Sequence, residues 1–208
     1  MVEVIDNTAQ LAVTMGCTVW AGVLAFRHKS QRYAVLACFY GTFALGLLYW
    51  LLYLVLRDYT PKFFYVSDLS WIASFLFLLL LNVSVTDAAE RRYRPVAPWL
   101  VVAVLLLLTA QICSFGDYGN TLVWCLLLTG CGYLSTRGFL YARKQSGNGR
   151  RRQYLYSTIL LIVFTEFLLW LASCYFKEST LGNPYFWCDF ALTAELLALM
   201  PATKKAVE

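Results

Sequence analysis

The chain has 208 residues, of which 60% are hydrophobic and 14% charged, and its mean hydropathy is +0.61. An ordinary soluble domain carries about 45–50% apolar and 25% charged residues, so this composition excludes a soluble enzyme or a hydrated nucleic-acid-binding domain. The formal net charge of +5 comes from basic residues gathered between apolar runs and is no sign of nucleic-acid binding.

Crossing a bilayer core of about 30 Å takes roughly 20 apolar helical residues, because every backbone N–H and C=O in hydrocarbon must be satisfied within its own segment. Seven such runs occur in chain order, at about 9–26, 33–56, 65–85, 97–115, 121–142, 154–176 and 184–201. The connections between them carry turn-forming pairs, Thr60-Pro61, Arg94-Pro95, Gly116 to Gly119, Gly147-Asn148-Gly149 and Gly182-Asn183-Pro184. The expected fold is all-α: an integral, multi-pass protein of the cell membrane with seven transmembrane helices in one domain over 1–208.

Lys and Arg in the connections set the expected orientation. One side carries Arg27, Lys29, Arg32, Arg91, Arg92, Arg94, Arg143, Lys144, Arg150, Arg151, Arg152, Lys204 and Lys205, thirteen in all, against Arg57, Lys62 and Lys177 on the other. The basic side is expected in the cytoplasm together with the C-terminus. The N-terminus, with Glu3 and Asp6 and no basic flank, is then outside, and the first run reads as a span rather than a cleaved signal. The run Arg150-Arg151-Arg152 is placed to touch anionic lipid headgroups.

Parts of the sequence recur. Phe63-Phe64-Tyr65-Val66-Ser67-Asp68 opens the third span and Tyr185-Phe186-Trp187-Cys188-Asp189 the seventh. Trp50 lies eighteen residues before Asp68, and Trp170 nineteen before Asp189. Gly22-x-Leu24-x-x-Arg27 is matched by Gly138-x-Leu140-x-x-Arg143. Spans one to three therefore read as duplicated in spans five to seven, with the fourth as linker, an internal repeat of the parallel type.

This three-plus-one-plus-three layout resembles the small seven-helix solute transporters, namely the SWEET sugar transporters and the bacterial nicotinamide riboside transporters. The Pro-Gln loop of the first group and the W-x-x-W pair of the second are absent here, so the resemblance implies a layout and transport, with no substrate. The third span also resembles that of microbial rhodopsins, with Tyr65-x-x-Asp68 leading into Leu78-Leu79-Leu80-Leu81. The span 184–201 lacks the lysine that a retinal Schiff base needs, so the resemblance extends to a seven-helix bundle without the photochemistry.

Five ionisable residues fall inside the predicted spans: Asp68, Arg137, Glu166, Asp189 and Glu195. Each costs about 2.5–3.5 kcal/mol at the bilayer centre and needs a partner, water or a function. Glu166, near the middle of the sixth span, shares a helix face with Trp170 and Ser173 at i+4 and i+7. It is the leading candidate for binding a cationic solute or carrying a proton; hydrogen-bonded packing is the plainer reading. Asp68 and Asp189 are either helix-starting charges or, brought together by the repeat, the mouth of a central cavity ringed by Tyr65, Trp71, Tyr185 and Trp187. Asn82 lies fourteen residues after Asp68 on nearly the same helix face and joins the candidate binding set. Arg137 and Glu195 sit at equal depth, about 7–10 Å from the basic side, which suggests an ion pair or gate.

The seven cysteines form no C-x-x-C pair and the one histidine, His28, is in a basic loop, so neither a metal site nor a cofactor is expected. No nucleophile, base and orienting group stand at recognisable spacing, so no catalytic residue is named. The functional expectation is a small transporter or facilitator for a cationic or proton-coupled solute. The alternative is a seven-helix sensory or regulatory module acting through a cytoplasmic protein partner, and a homo-oligomer fits either.

Overall fold

A computed structural model describes residues 2–57, 65–116, 118–177 and 180–207. Thr60-Pro61, Lys62 and Phe63-Phe64 lie outside the described residues, as does the side chain of Tyr65. The structure is helical throughout, with no strand among the described residues: α1 (Val2–His28), α2 (Gln31–Arg57), α3 (Tyr65–Val85), α4 (Ala88–Arg92), α5 (Ala97–Cys113), α6 (Tyr118–Arg143), α7 (Asn148–Tyr175) and α8 (Pro184–Val207).

A helix lies on each of the seven predicted segments, with α5 ending at Cys113 and α7 at Tyr175, short of the expected 115 and 176. Helices α1, α2, α3 and α7 are long and apolar enough to cross a membrane, whereas α5 is apolar but spans 17 residues. Helix α6 is diluted by glycines, hydroxyls and Arg137, and α8 by Asp189 and Glu195. The helices end where backbone chemistry requires it. Lys29 between α1 and α2, Gly116 after α5 and Gly147 before α7 all have positive φ. Asn183 accepts from the Tyr185 amide at the start of α8, at 2.9 Å. Helix α8 does not stop at Pro201, as the sequence suggested, but runs on to Val207. The proline withdraws one N–H from the ladder, while buried Met200, Ala202 and Thr203 and the basic last turn, Lys204 and Lys205, hold the final turns.

The eighth helix, α4, was not anticipated. Asp87 accepts from the Glu90 amide at 2.8 Å and so caps it, and Asp87-x-x-Glu90 is the spacing of a helix start. Its position is fixed from outside: Asp87 also pairs with Arg152 at 2.8 Å, and buried Glu90 accepts from the Tyr156 hydroxyl at 2.8 Å.

Six helices pack in a closed order, α1 on α2, α2 on α3, α3 on α6, α6 on α7, α7 on α8 and α8 back on α1, while α5 lies against α6 and α7. The first three and last three helices thus meet at two seams, α3–α6 and α1–α8. Between them lies one apolar core that includes Leu36, Phe39, Phe75, Leu78, Leu128, Ile159, Phe167, Leu196 and Leu199, each at most 1% exposed. Close approach depends on small residues in α6: a Cβ at Gly138 would stand 2.4 Å from Tyr156 Cζ, and one at Gly132 would stand 2.8 Å from Leu105 Cδ1.

Candidate functional site

Apolar helices bury polar side chains only on a face turned inward, and α1 carries such a face. Asp6, Gln10 and Thr14 recur at helical spacing, and each is at most 2% exposed. On α8, Asp189, Thr193 and Glu195 meet this face and α7. The Gln10 amide donates to Asp189 Oδ1 at 2.7 Å and to Thr193 Oγ1 at 3.1 Å. The carboxyls of Asp6 and Asp189 face one another at hydrogen-bonding range. No donor reaches either oxygen of Asp6, which is fully buried. Glu3, one turn nearer the start of α1, accepts from Trp50 Nε1 at 2.9 Å.

Glu166 on α7 is 5% exposed, and among the described residues its charged neighbours are Asp189 and Glu195, both acids. Tyr185 on α8 stands in electrostatic range of Asp189, Glu3, Asp6 and Glu166 together. Thr165 donates to Glu195 Oε1 at 2.8 Å, and Glu195 Oε2 is buried without a donor. These groups form a ladder of acids, amide and hydroxyls from the starts of α1 and α8 to the middle of the bundle. Below the ladder the interior turns apolar: Tyr40, fully buried, donates across to the Leu196 carbonyl at 2.6 Å, and Leu36, Leu199 and Met200 close the space toward the arginine-rich end.

Other predicted site residues take different places. Asp68 is at the opposite seam, where Asn120 Nδ2 donates to it at 2.6 Å, so the two aspartates are not brought to one mouth. Asn82, also on α3, donates to Ser135 Oγ at 2.6 Å and belongs to the α3–α6 contact. Trp170 stacks on Trp124 of α6, with centroids 4.3 Å apart, and leaves the acids to Glu166. Trp71 covers Gly46, where a Cβ would lie 2.7 Å from its Nε1, and tilts against Trp50. Trp187 is 62% exposed and faces outward.

The expected Arg137–Glu195 ion pair does not form. Helices α6 and α8 each pack on α7, and equal depth along the bundle did not place the two side chains on facing sides. Glu195 takes its hydrogen bond from α7, while Arg137 lies 5.8 Å from the Tyr133 ring centroid and in electrostatic range of Glu90.

The titration of the arginine-rich end follows from its contacts. The Glu90 amide, with Arg152 beside it, holds the Asp87 carboxyl below the usual range. Burial pushes Glu90 up, against the lowering effects of the Tyr156 hydroxyl and Arg137.

Sequence reasoning missed Asp6, Gln10, Thr165 and Thr193. The readable signal was the spacing Glu3, Asp6, Gln10, Thr14 on one face of an otherwise apolar helix. Among the described residues no group of three His, Cys, Asp or Glu side chains is arranged to hold a metal ion. All seven cysteines are free. No protein-family model, curated protein or solved structure matches this chain.

Proposed function

We propose that this chain is a seven-span membrane transporter or facilitator for a small cationic or proton-coupled solute, bound among Glu166, Asp189 and Asp6. The carrying observation is a buried set of carboxyls with no basic partner among the described residues: Asp6 and Asp189 face to face, Asp6 without a donor, and Glu166 among acids. Acids buried together repel and cannot all be ionised, so they share protons or hold a cation. Ionisable groups at membrane depth are costly enough to mark solute or proton pathways.

Three further observations support the reading. The ladder begins at the end of the bundle opposite the arginine-rich loops, which the distribution of basic residues assigns to the outside. Toward the arginine-rich end the interior beyond the acids is filled by buried side chains, with Tyr40 bonded to the Leu196 carbonyl. The helix order is also what a parallel repeat of α1–α3 in α6–α8 would give: each half packs in sequence, and the third helix of each meets the first helix of the other. Asp68 and Asp189 then hold matching positions, each accepting from an amide on the first helix of the other half.

The test is thermal unfolding of the purified protein against a panel of small amines and inorganic cations at several pH values, with Glu166→Gln alongside. A solute that stabilises the wild type and loses its effect in the variant supports the site. If no solute stabilises the wild type and the variant matches it at every pH, Glu166 is packing, and function lies with a partner at the arginine-rich end.

A further inference from the structure

The start of α7 divides its three consecutive arginines. Arg152 and Tyr156, at i and i+4, face α4 and are taken up there by Asp87 and Glu90. Arg150, Tyr154 and Ser157, at i, i+4 and i+7, face the last turns of α8 instead. A cavity of about 370 Å³ opens between these two segments, lined by Arg150, Arg151, Tyr154, Ser157 and Lys205. Among the described residues no acid lines it, and the ion pair Arg152–Asp87 leaves Arg150, Arg151 and Lys205 without a carboxylate. Lys205 Nζ lies over the Tyr154 ring, 3.6 Å from its centroid, which positions the ammonium at the rim. Gly147, also in the lining, opens α7 without a side-chain cap, so the first amides of that helix have no side-chain acceptor and their dipole adds positive potential.

We propose that this cavity binds a phosphate monoester or diester, and that its source is the headgroup of an anionic membrane lipid. Three cations and an uncapped helix start around one concavity match a compact multivalent anion, and arginine forks match phosphate oxygens. The lipid source follows from depth. Tyr154, 57% exposed, is the kind of residue that sits at the membrane–water boundary, and exposed Leu161 two turns further on is apolar. A headgroup in the cavity would lie at the tyrosine, with its acyl chains along α7. This inference is independent of the acid ladder and survives if no solute is carried.

The test uses the full chain in neutral detergent, with thermal unfolding followed against dioctanoyl phosphatidic acid, dioctanoylglycerol and inorganic phosphate. Two triple variants are compared: Arg150→Gln/Arg151→Gln/Lys205→Gln in the cavity, and Arg91→Gln/Arg92→Gln/Arg143→Gln, which removes as much charge from the same end outside it. The expected result is stabilisation of the wild type by phosphatidic acid and not by dioctanoylglycerol. The cavity variant should lose about tenfold or more in apparent affinity, and the outside variant should keep its affinity. Equal stabilisation by millimolar inorganic phosphate overturns the lipid source in favour of a free phosphate. Equal loss in both variants, or no stabilisation of the wild type, overturns the site.

Discussion

The seams α3–α6 and α1–α8 are built from the same pieces, an aspartate on one helix and a side-chain amide on the other, yet they are finished differently. At α3–α6, Asn120 donates to Asp68, and Asn82 bonds Ser135 deeper along the same contact. At α1–α8, Gln10 donates to Asp189, but a second carboxyl, Asp6, faces the first without a donor, and among the described residues the charged neighbours of Glu166 are Asp189 and Glu195. The first seam spends its polar groups on holding helices together. The second leaves both oxygens of Asp6 and one of Glu195 without a donor, and the proposed cation or proton site rests on that difference.

The largest expected effect compares the glycines of the two Gly-x-Leu-x-x-Arg sequences, Gly138 and Gly22. Gly138→Ala drives a Cβ into the fully buried Tyr156 ring and should lower stability by about 1–3 kcal/mol in thermal unfolding. Gly22→Ala meets nothing within 4 Å and should be neutral or stabilising by up to about 1 kcal/mol from helix propensity. Equal losses at both would show that the halves are packed alike and would weaken the contrast.

Next in size are the seams themselves. Asn120→Ala removes the donor to Asp68 and should cost about 1.5 kcal/mol. Asp6→Asn gives Asp189 a donor in place of a facing carboxyl, and the variant should be at least as stable as the wild type while losing solute-dependent stabilisation. A strongly destabilised Asp6→Asn would mean that the acid is structural and the seams are equivalent.

The smallest effects are at the arginine-rich end and depend on pH. Glu90 is held above its ordinary value by burial, so its ionisation opposes folding. Stability relative to Glu90→Gln should fall as pH rises from the usual carboxylate range through the raised folded value. Asp87 is held below its ordinary value, so its contribution is present above the usual range and is lost as pH falls through the lowered one. Asp87→Asn keeps a capping side chain and loses only the half-exposed pair with Arg152, which should cost about 0–1 kcal/mol at neutral pH. Unfolding curves of both variants across pH check the two signs.

Helix positions were legible because long apolar runs leave the backbone little choice, and a helix lies on each of the seven, while among the described residues α1, α2, α3 and α7 are the four long and apolar enough to cross a membrane. Helix α4 escaped because five residues have no periodicity to read, although Asp87 and Glu90 carried the capping spacing. In the site, Glu166 and Asp189 stand out as acids in apolar runs. Asp6 does not, because the apolar run begins near residue 9 and leaves the acid outside it, whereas α1 begins at Val2. Equal depth could not pair Arg137 with Glu195, since position along a helix says nothing of which neighbour it faces. The sequence places Trp71, Trp170 and Asn82 in a candidate binding set, whereas the structure has them in contacts between helices. Their partners, Gly46, Trp124 and Ser135, sit on other helices and became visible only in the fold.

The central claim is most directly tested by flux. Protein reconstituted into vesicles loaded with a pH-sensitive dye is pulsed with small organic cations from outside, wild type beside Glu166→Gln. The account predicts a cation-dependent change of internal pH or a measurable uptake in the wild type, and its loss in the variant. Movement at the wild-type rate by Glu166→Gln, or none by the wild type with any cation, would contradict it.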